Sequence, residues 1–238
     1  MDATSIPDIP ELVGAIGALG LAAFALVDCS KIGRHGGVSH SGFQVIESAI
    51  QIFYSDANLP SVADINKALP FEKALLQTLH AHWINGVAIA DQKAIAKSLV
   101  KLKLTPENAE YLARVAAVDP ATLKEVAARM ITGDPLEDKH TNALGRFDLA
   151  VTAILDAAYQ RADQRYRNAA KLWASFAAVT LAIVGGLIVD AQASHPFSWS
   201  HLFLYSLCGI LAVPLAPISK DLASALSAAV KVAQTVRR

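Results

Sequence analysis

Seven histidines are the side chains best suited to acid–base or metal chemistry here, and their spacing decides what they can do. His80 and His82 are two positions apart. On a helix that spacing turns them about 200° away from each other, so they cannot share an ion as residues four apart do. His35 and His40 lie in one short segment where a carboxylate could join them, yet no second ligand motif accompanies them. The stretch Gly33, Arg34, His35, Gly36, Gly37 lacks the spacing of a phosphate-cradling loop and reads as a flexible turn. Cys29 and Cys208 suggest neither a disulfide framework nor a metal-ligand pair and read as packing residues. Arg146 with Asp148, and Asp163 with Arg165 and Arg167, read as solvated helix charges, and no nucleophile stands beside a base. The expectation is no catalytic site, no cofactor, no metal and no enzyme.

The apolar residues carry the stronger signal. Apolar types make up 53% of the 238 residues, and three runs are long enough for a helix to cross a bilayer's hydrocarbon core. Residues 172–189 have no charged side chain and are framed by Lys171 and Asp190, residues 197–219 follow after a short polar turn, and residues 12–27 form the third run. A secretion signal would carry a basic region ahead of its apolar core. The leader instead has Asp2, Asp8 and Glu11, with Lys31 and Arg34 after the span, which favours a retained anchor. The charges balance at 21 Lys plus Arg against 21 Asp plus Glu, so no global field attracts nucleic acid.

These runs divide the chain into an extracytoplasmic leader (1–11), a first transmembrane helix (12–28), a cytoplasmic helical domain (29–170), a second span (171–190), an extracytoplasmic turn (191–196), a third span (197–219) and an amphipathic tail helix (220–238). Lys and Arg beside a span prefer the cytoplasmic side. Lys31 and Arg34 follow the first span, Arg161, Arg165, Arg167 and Lys171 precede the second, and Lys220, Lys231, Arg237 and Arg238 follow the third. The leader and the turn have no Lys or Arg, which places both outside and the central domain and tail inside. Trp173, Phe197 and Trp199 sit at the predicted boundaries, where amphipathic rings favour the headgroup level.

Between the spans apolar residues recur at helical spacing, and the fold class is all-α. Phe43, Ile46, Ile50 and Phe53 make one stripe, Leu75, Leu76, Leu79 and Trp83 another, and Ile95, Leu99 and Leu102 a third, opposite Lys93, Lys97, Lys101 and Lys103. Helix starts are predicted at Ser61 with Asp64, at Thr105 before Pro106, at Asp119 before Pro120, and at Asp134 before Pro135 with Glu137. From Leu144 the stripe Phe147, Val151, Ile154, Leu155, Ala158, Ala162 runs on into Leu172 without a stop signal, predicting a helix of about 45 residues, near 70 Å. Such a strut would couple domain to membrane.

Within the spans, ionisable residues, the usual marks of ion paths, are absent, because Asp28, Lys171 and Asp190 all fall at boundaries. Gly14, Gly17 and Gly20 are spaced by three, and Gly185 with Gly186 lies in the second span. Glycine faces let helix backbones approach closely, either within one chain or between copies, and the reading leans to self-association through the first span. Pro214 and Pro217 mark a hinge, or end the third span and redirect the chain into the tail. Ser175, Thr180 and Ser206 could line a water path or bond their own helix.

The segment RFDLAVTAILDAAYQRADQRYR (146–167) before a span, and the closing LAVPLAPISKDLASAL, resemble a group of bacterial inner-membrane proteins that has no established activity. In that group a Phe-Asp pair opens a helix ending in Tyr and basic residues before a hydrophobic hairpin. The resemblance implies a multi-pass location in a bacterial inner membrane. The expected function is a self-associating scaffold or assembly platform; the rivals are a channel or pore-forming effector gated by the helical domain, and an accessory subunit of a larger complex. The expected partners are the lipid bilayer, further copies of the chain and other membrane proteins.

Overall fold

The computed structural model describes residues 9–32, 34–53 and 70–236, and among these every regular element is helical. The order is α1 (Ile9–Cys29), two short 3-10 turns (Ser30–Ile32 and Arg34–Ser39), α2 (His40–Gln51), α3 (Pro70–Asn85), α4 (Ile89–Leu102), α5 (Ala109–Ala116), α6 (Pro120–Thr132), α7 (Asp138–Gln192) and α8 (Trp199–Val236). Two compact units result, one from residues 33–166 and one from residues 1–32 with 167–238.

The first of these is a helical bundle around one apolar core. Phe43, Ile46, Ile50, Phe53, Leu76, Leu79, Leu99, Leu112, Leu123, Phe147, Val151 and Leu155 are all buried there. Removing each such side chain from water contributes about 1.5–3 kcal/mol before entropy is charged against it. The stripes read from the sequence are this core, with one exception. Leu102 is 56% exposed, and the inward positions at that end of α4 are Ala96, Val100 and Leu104.

Helix boundaries follow local hydrogen bonding. Asp119 caps α6 as expected, its carboxylate accepting from the Thr122 amide at 2.8 Å with Pro120 behind it. Two expected starts are displaced. The Thr105–Pro106 turn is closed by Asn108, whose side chain accepts from the Thr105 amide at 2.9 Å, so α5 begins at Ala109. Asp134 accepts from the Thr132 hydroxyl instead of capping α7, and Arg129 holds the Pro135 carbonyl and Glu137 (both 2.7 Å), which delays α7 to Asp138. The predicted start at Ser61 with Asp64 lies outside the described residues.

The long helix is longer than expected. α7 runs 55 residues without interruption, about 80 Å at 1.5 Å per residue, and has no break between Arg161 and Lys171. α8 likewise continues through Pro214 and Pro217 to Val236, so the prolines do not end the helix and the tail is its continuation. An interior proline is tolerated in apolar helices when neighbouring groups re-satisfy the freed carbonyl.

Three helices are long and apolar enough to cross a membrane: Leu12–Cys29, the apolar part of α7, and Trp199–Ser219. At most 22% of each apolar window is buried inside the protein, so most of that surface faces outward, as a lipid-facing helix requires.

Candidate functional site

The membrane unit is assembled through small residues. α1 lies against α8, where Ala212 and Ala216 are buried. A Cβ added at Gly20 would overlap the Ala212 carbonyl, and one at Gly17 would overlap the Ser219 side chain. The Ser219 hydroxyl donates to the Gly14 carbonyl at 3.2 Å. Ala23, Ala174, Ala178 and Ala212 meet as a small apolar centre shared by α1, α7 and α8. Gly186 lies under the Tyr205 ring, and Gly209, which the sequence reading did not single out, sits with its would-be Cβ 2.5 Å from the Val179 Cα. Among the described residues nothing lies within 4 Å of a Cβ placed at Gly14 or Gly185. Thus Gly17, Gly20 and Gly186 serve packing within the chain, and the other two face open space.

The contacts also set a direction. As α1 advances from Gly14 to Gly20, its partners on α8 retreat from Ser219 to Ala212, so the two helices run antiparallel. The charge pattern has both cross from outside to inside, which would make them parallel, and the packing departs from it.

The expected interface anchors are mostly at the surface. Arg165, Arg167 and Lys171 are exposed on α7, and only the backbone of Arg34, in its 3-10 turn, is described. Trp173 is half exposed with its ring edge-on to Phe176, and Trp199 is exposed edge-on to Phe197. Ser175, Thr180 and Ser206 donate to Lys171, Phe176 and Leu202 carbonyls of their own helices at 2.8–2.9 Å. Satisfied in this way, they give no line of free hydroxyls for water to follow.

A polar cluster closes the turn between α7 and α8. α7 ends in a Schellman motif: the His195 amide donates to the Asp190 carbonyl at 2.9 Å, the Ser194 amide to the Ala191 carbonyl at 3.2 Å, and Ser194 adopts φ +57°. This brings the Asp190 carboxylate to 3.1 Å from His201 Nδ1 and 3.7 Å from His195 Nδ1. The Tyr205 hydroxyl faces the same carboxylate. Sequence reading placed Asp190 at a boundary only.

In the bundle of residues 33–166, Asp148, expected as a solvated helix charge, is partnered across helices. Lys97 and Lys101 of α4 reach the two oxygens of Asp148 on α7 at 2.8 and 2.5 Å, and Lys93 reaches Asp156 at 2.6 Å. Hydrogen bonds from Lys101 and Lys97 hold the Asp148 carboxyl below the usual carboxylate range. A depressed carboxylate stabilises the fold above its unfolded pKa, about 3.9, and that stability fades as pH falls toward the lower folded value. Asp148→Asn is therefore expected to lower stability by about 1 kcal/mol at neutral pH and to flatten the acid limb of a denaturation profile. An unchanged midpoint at pH 7 would show the pairs contribute nothing.

His140 is fully buried, its Nδ1 accepting the Glu137 amide at 3.1 Å and its Nε2 meeting Glu125 at 2.8 Å, which fixes the first turn of α7. That bond, with one from Lys139, lowers the Glu125 pKa. His80 lies edge-on to Phe43. Among the described residues no group of three or more His, Cys, Asp or Glu side chains is placed to hold a metal ion. Burial raises the Tyr159 phenol, whose hydroxyl has no hydrogen-bond partner among the described residues. The chain matches no protein-family model, no curated protein and no solved structure.

Proposed function

We propose that this chain is a non-enzymatic, self-associating membrane protein that acts as a scaffold or assembly platform. The observation that carries the reading is the small share of each span covered within the chain, together with Gly14 and Gly185 facing open space. Spans associate through close backbone approach at small residues, because lipid offers no hydrophobic driving force between them. The partners are the bilayer and further copies of the chain, with other membrane proteins as the accessory-subunit alternative. A channel is less well supported, since the span hydroxyls are satisfied by their own carbonyls. The location proposed, from the resemblance and the charge asymmetry, is a bacterial inner membrane with the helical domain and C-terminus inside.

Mass measurement in lipid nanodiscs or mild detergent tests self-association. The expected result is a multiple of the 25.2 kDa chain, shifted to lower mass by Gly14→Leu with Gly185→Leu. A monomer at all concentrations, or an unshifted oligomer in the variant, overturns the reading of these glycines. Orientation is tested at Cys29, which is exposed at the end of α1. If the charge pattern sets the orientation, a membrane-impermeant maleimide labels it only after the membrane is opened; labelling of intact cells would mean that the antiparallel packing of α1 on α8 sets it and puts the end of α1 on the side of the α7–α8 turn.

A further inference from the structure

We infer that the α7–α8 turn carries a proton-operated clasp, in which His201 and His195 grip the Asp190 carboxylate when the imidazoles are protonated and relax when they are not. The cluster draws one group from the end of α7, one from the turn and two from the start of α8, so its state bears on how firmly the two helices are joined at this end. The Asp190 side chain is only 11% exposed, whereas His201 and His195 are 41% and 60% exposed. The carboxylate is thus largely withdrawn from water while both imidazoles can exchange protons with it.

The groups facing one another, among the described residues, are Asp190 on α7, His195 in the turn, and His201 and Tyr205 on α8. Asp28 and Lys31 at the end of α1 pair with each other. In the neutral state His201 offers the carboxylate one Nδ1–H at 3.1 Å, and no net positive charge faces it. A proton taken up from solvent at either imidazole adds a full positive charge and turns the contact into an ion pair, beside a carboxylate that water screens poorly. The rings are close, His201 to His195 at 6.3 Å and His201 to Tyr205 at 6.2 Å between centroids, so the two imidazoles share the one carboxylate between them. Imidazole is the side chain whose charge changes between pH 5 and 8. The sign follows from charge alone: the clasp is stronger with the imidazoles protonated than with them neutral.

No ligand is needed for this device, and the backbone reports it directly. The Ala193, Ser194 and His195 amides are all bonded inside the Schellman end of α7. Hydrogen exchange of peptides spanning residues 190–202, measured on the full chain in neutral-lipid nanodiscs and corrected for intrinsic pH dependence, is the test. Protection at pH 5.5 is expected to exceed that at pH 8 by about threefold to fivefold, the range of a modest ion pair. His195→Gln with His201→Gln is expected to remove the difference while leaving the turn folded, and Asp190→Asn to remove it as well. Equal protection of the native chain at both pH values overturns the clasp. So does a histidine double variant that keeps the native difference, and because that variant retains Asp190, a folding failure of Asp190→Asn does not decide the matter.

Discussion

Gly42→Leu is expected to unfold the helical bundle of residues 33–166. Gly42 is where α2 crosses α7: a Cβ there would lie 2.5 Å from the Trp83 ring, 2.8 Å from the Ala162 carbonyl and 3.2 Å from the Tyr166 Cβ. The carbonyl belongs to a continuous helix and cannot step aside, and Trp83 is tied by its Nε1–H donating to the Ser39 carbonyl at 2.8 Å. Trp83 also packs edge-on to Tyr159 and Tyr166, so displacing it opens the centre of the bundle. Overpacking a closed site usually costs about 1–3 kcal/mol, and a leucine against an immobile backbone belongs at or beyond the upper end. Near-ultraviolet circular dichroism and trypsin resistance of the bundle would read the loss. Native-like behaviour of Gly42→Leu would mean that α2 does not approach α7 this closely.

The second large effect is expected in the membrane unit, where Gly20→Leu should separate α1 from α8. The added side chain would meet the Ala212 carbonyl and the Ala216 methyl, and no rotamer avoids a Cβ overlap with main chain. Membrane helices are held by van der Waals contact and short polar bonds, so lost backbone approach is not recovered elsewhere. The Ser219 to Gly14 hydrogen bond would go with it. A loss of about 3 kcal/mol corresponds to a fall of about 5–10 °C in the thermal transition. Ala22→Leu is the control, since Ala22 is exposed on α1. Equal shifts from both variants would mean that α1 packs by a different face.

These two glycines show where sequence reading stops. The spacing of Gly14, Gly17 and Gly20 announces a small-residue face, but a spacing of three on a helix turns successive residues by about 300°, so they drift around the surface and need not share a partner. Gly209 had no repeat to draw attention to it, yet it accommodates the backbone of α7. The lysines of α4 stand opposite its apolar stripe, and periodicity separates apolar from polar positions without saying what those lysines meet; Asp148 and Asp156 lie 51 and 63 residues from Lys97 and Lys93 in the chain. Displaced starts at Ala109 and Asp138 arise from side chains that capture the turn first, Asn108 in one case and Arg129 in the other.

From the residues alone came the all-α class, the three candidate spans, the stripes of the bundle core and a helix running unbroken from that bundle into an apolar segment. Each rests on periodicity or on the length of an apolar run, which local physics dictates wherever the segment ends up. The packing of α1 against α8 in antiparallel sense, the division of the glycines between buried and open faces, and the meeting of Asp190 with His195, His201 and Tyr205 were decided by tertiary structure. These depend on which surfaces close on each other after the helices form, and short-range pattern carries no record of a partner that is distant in the chain.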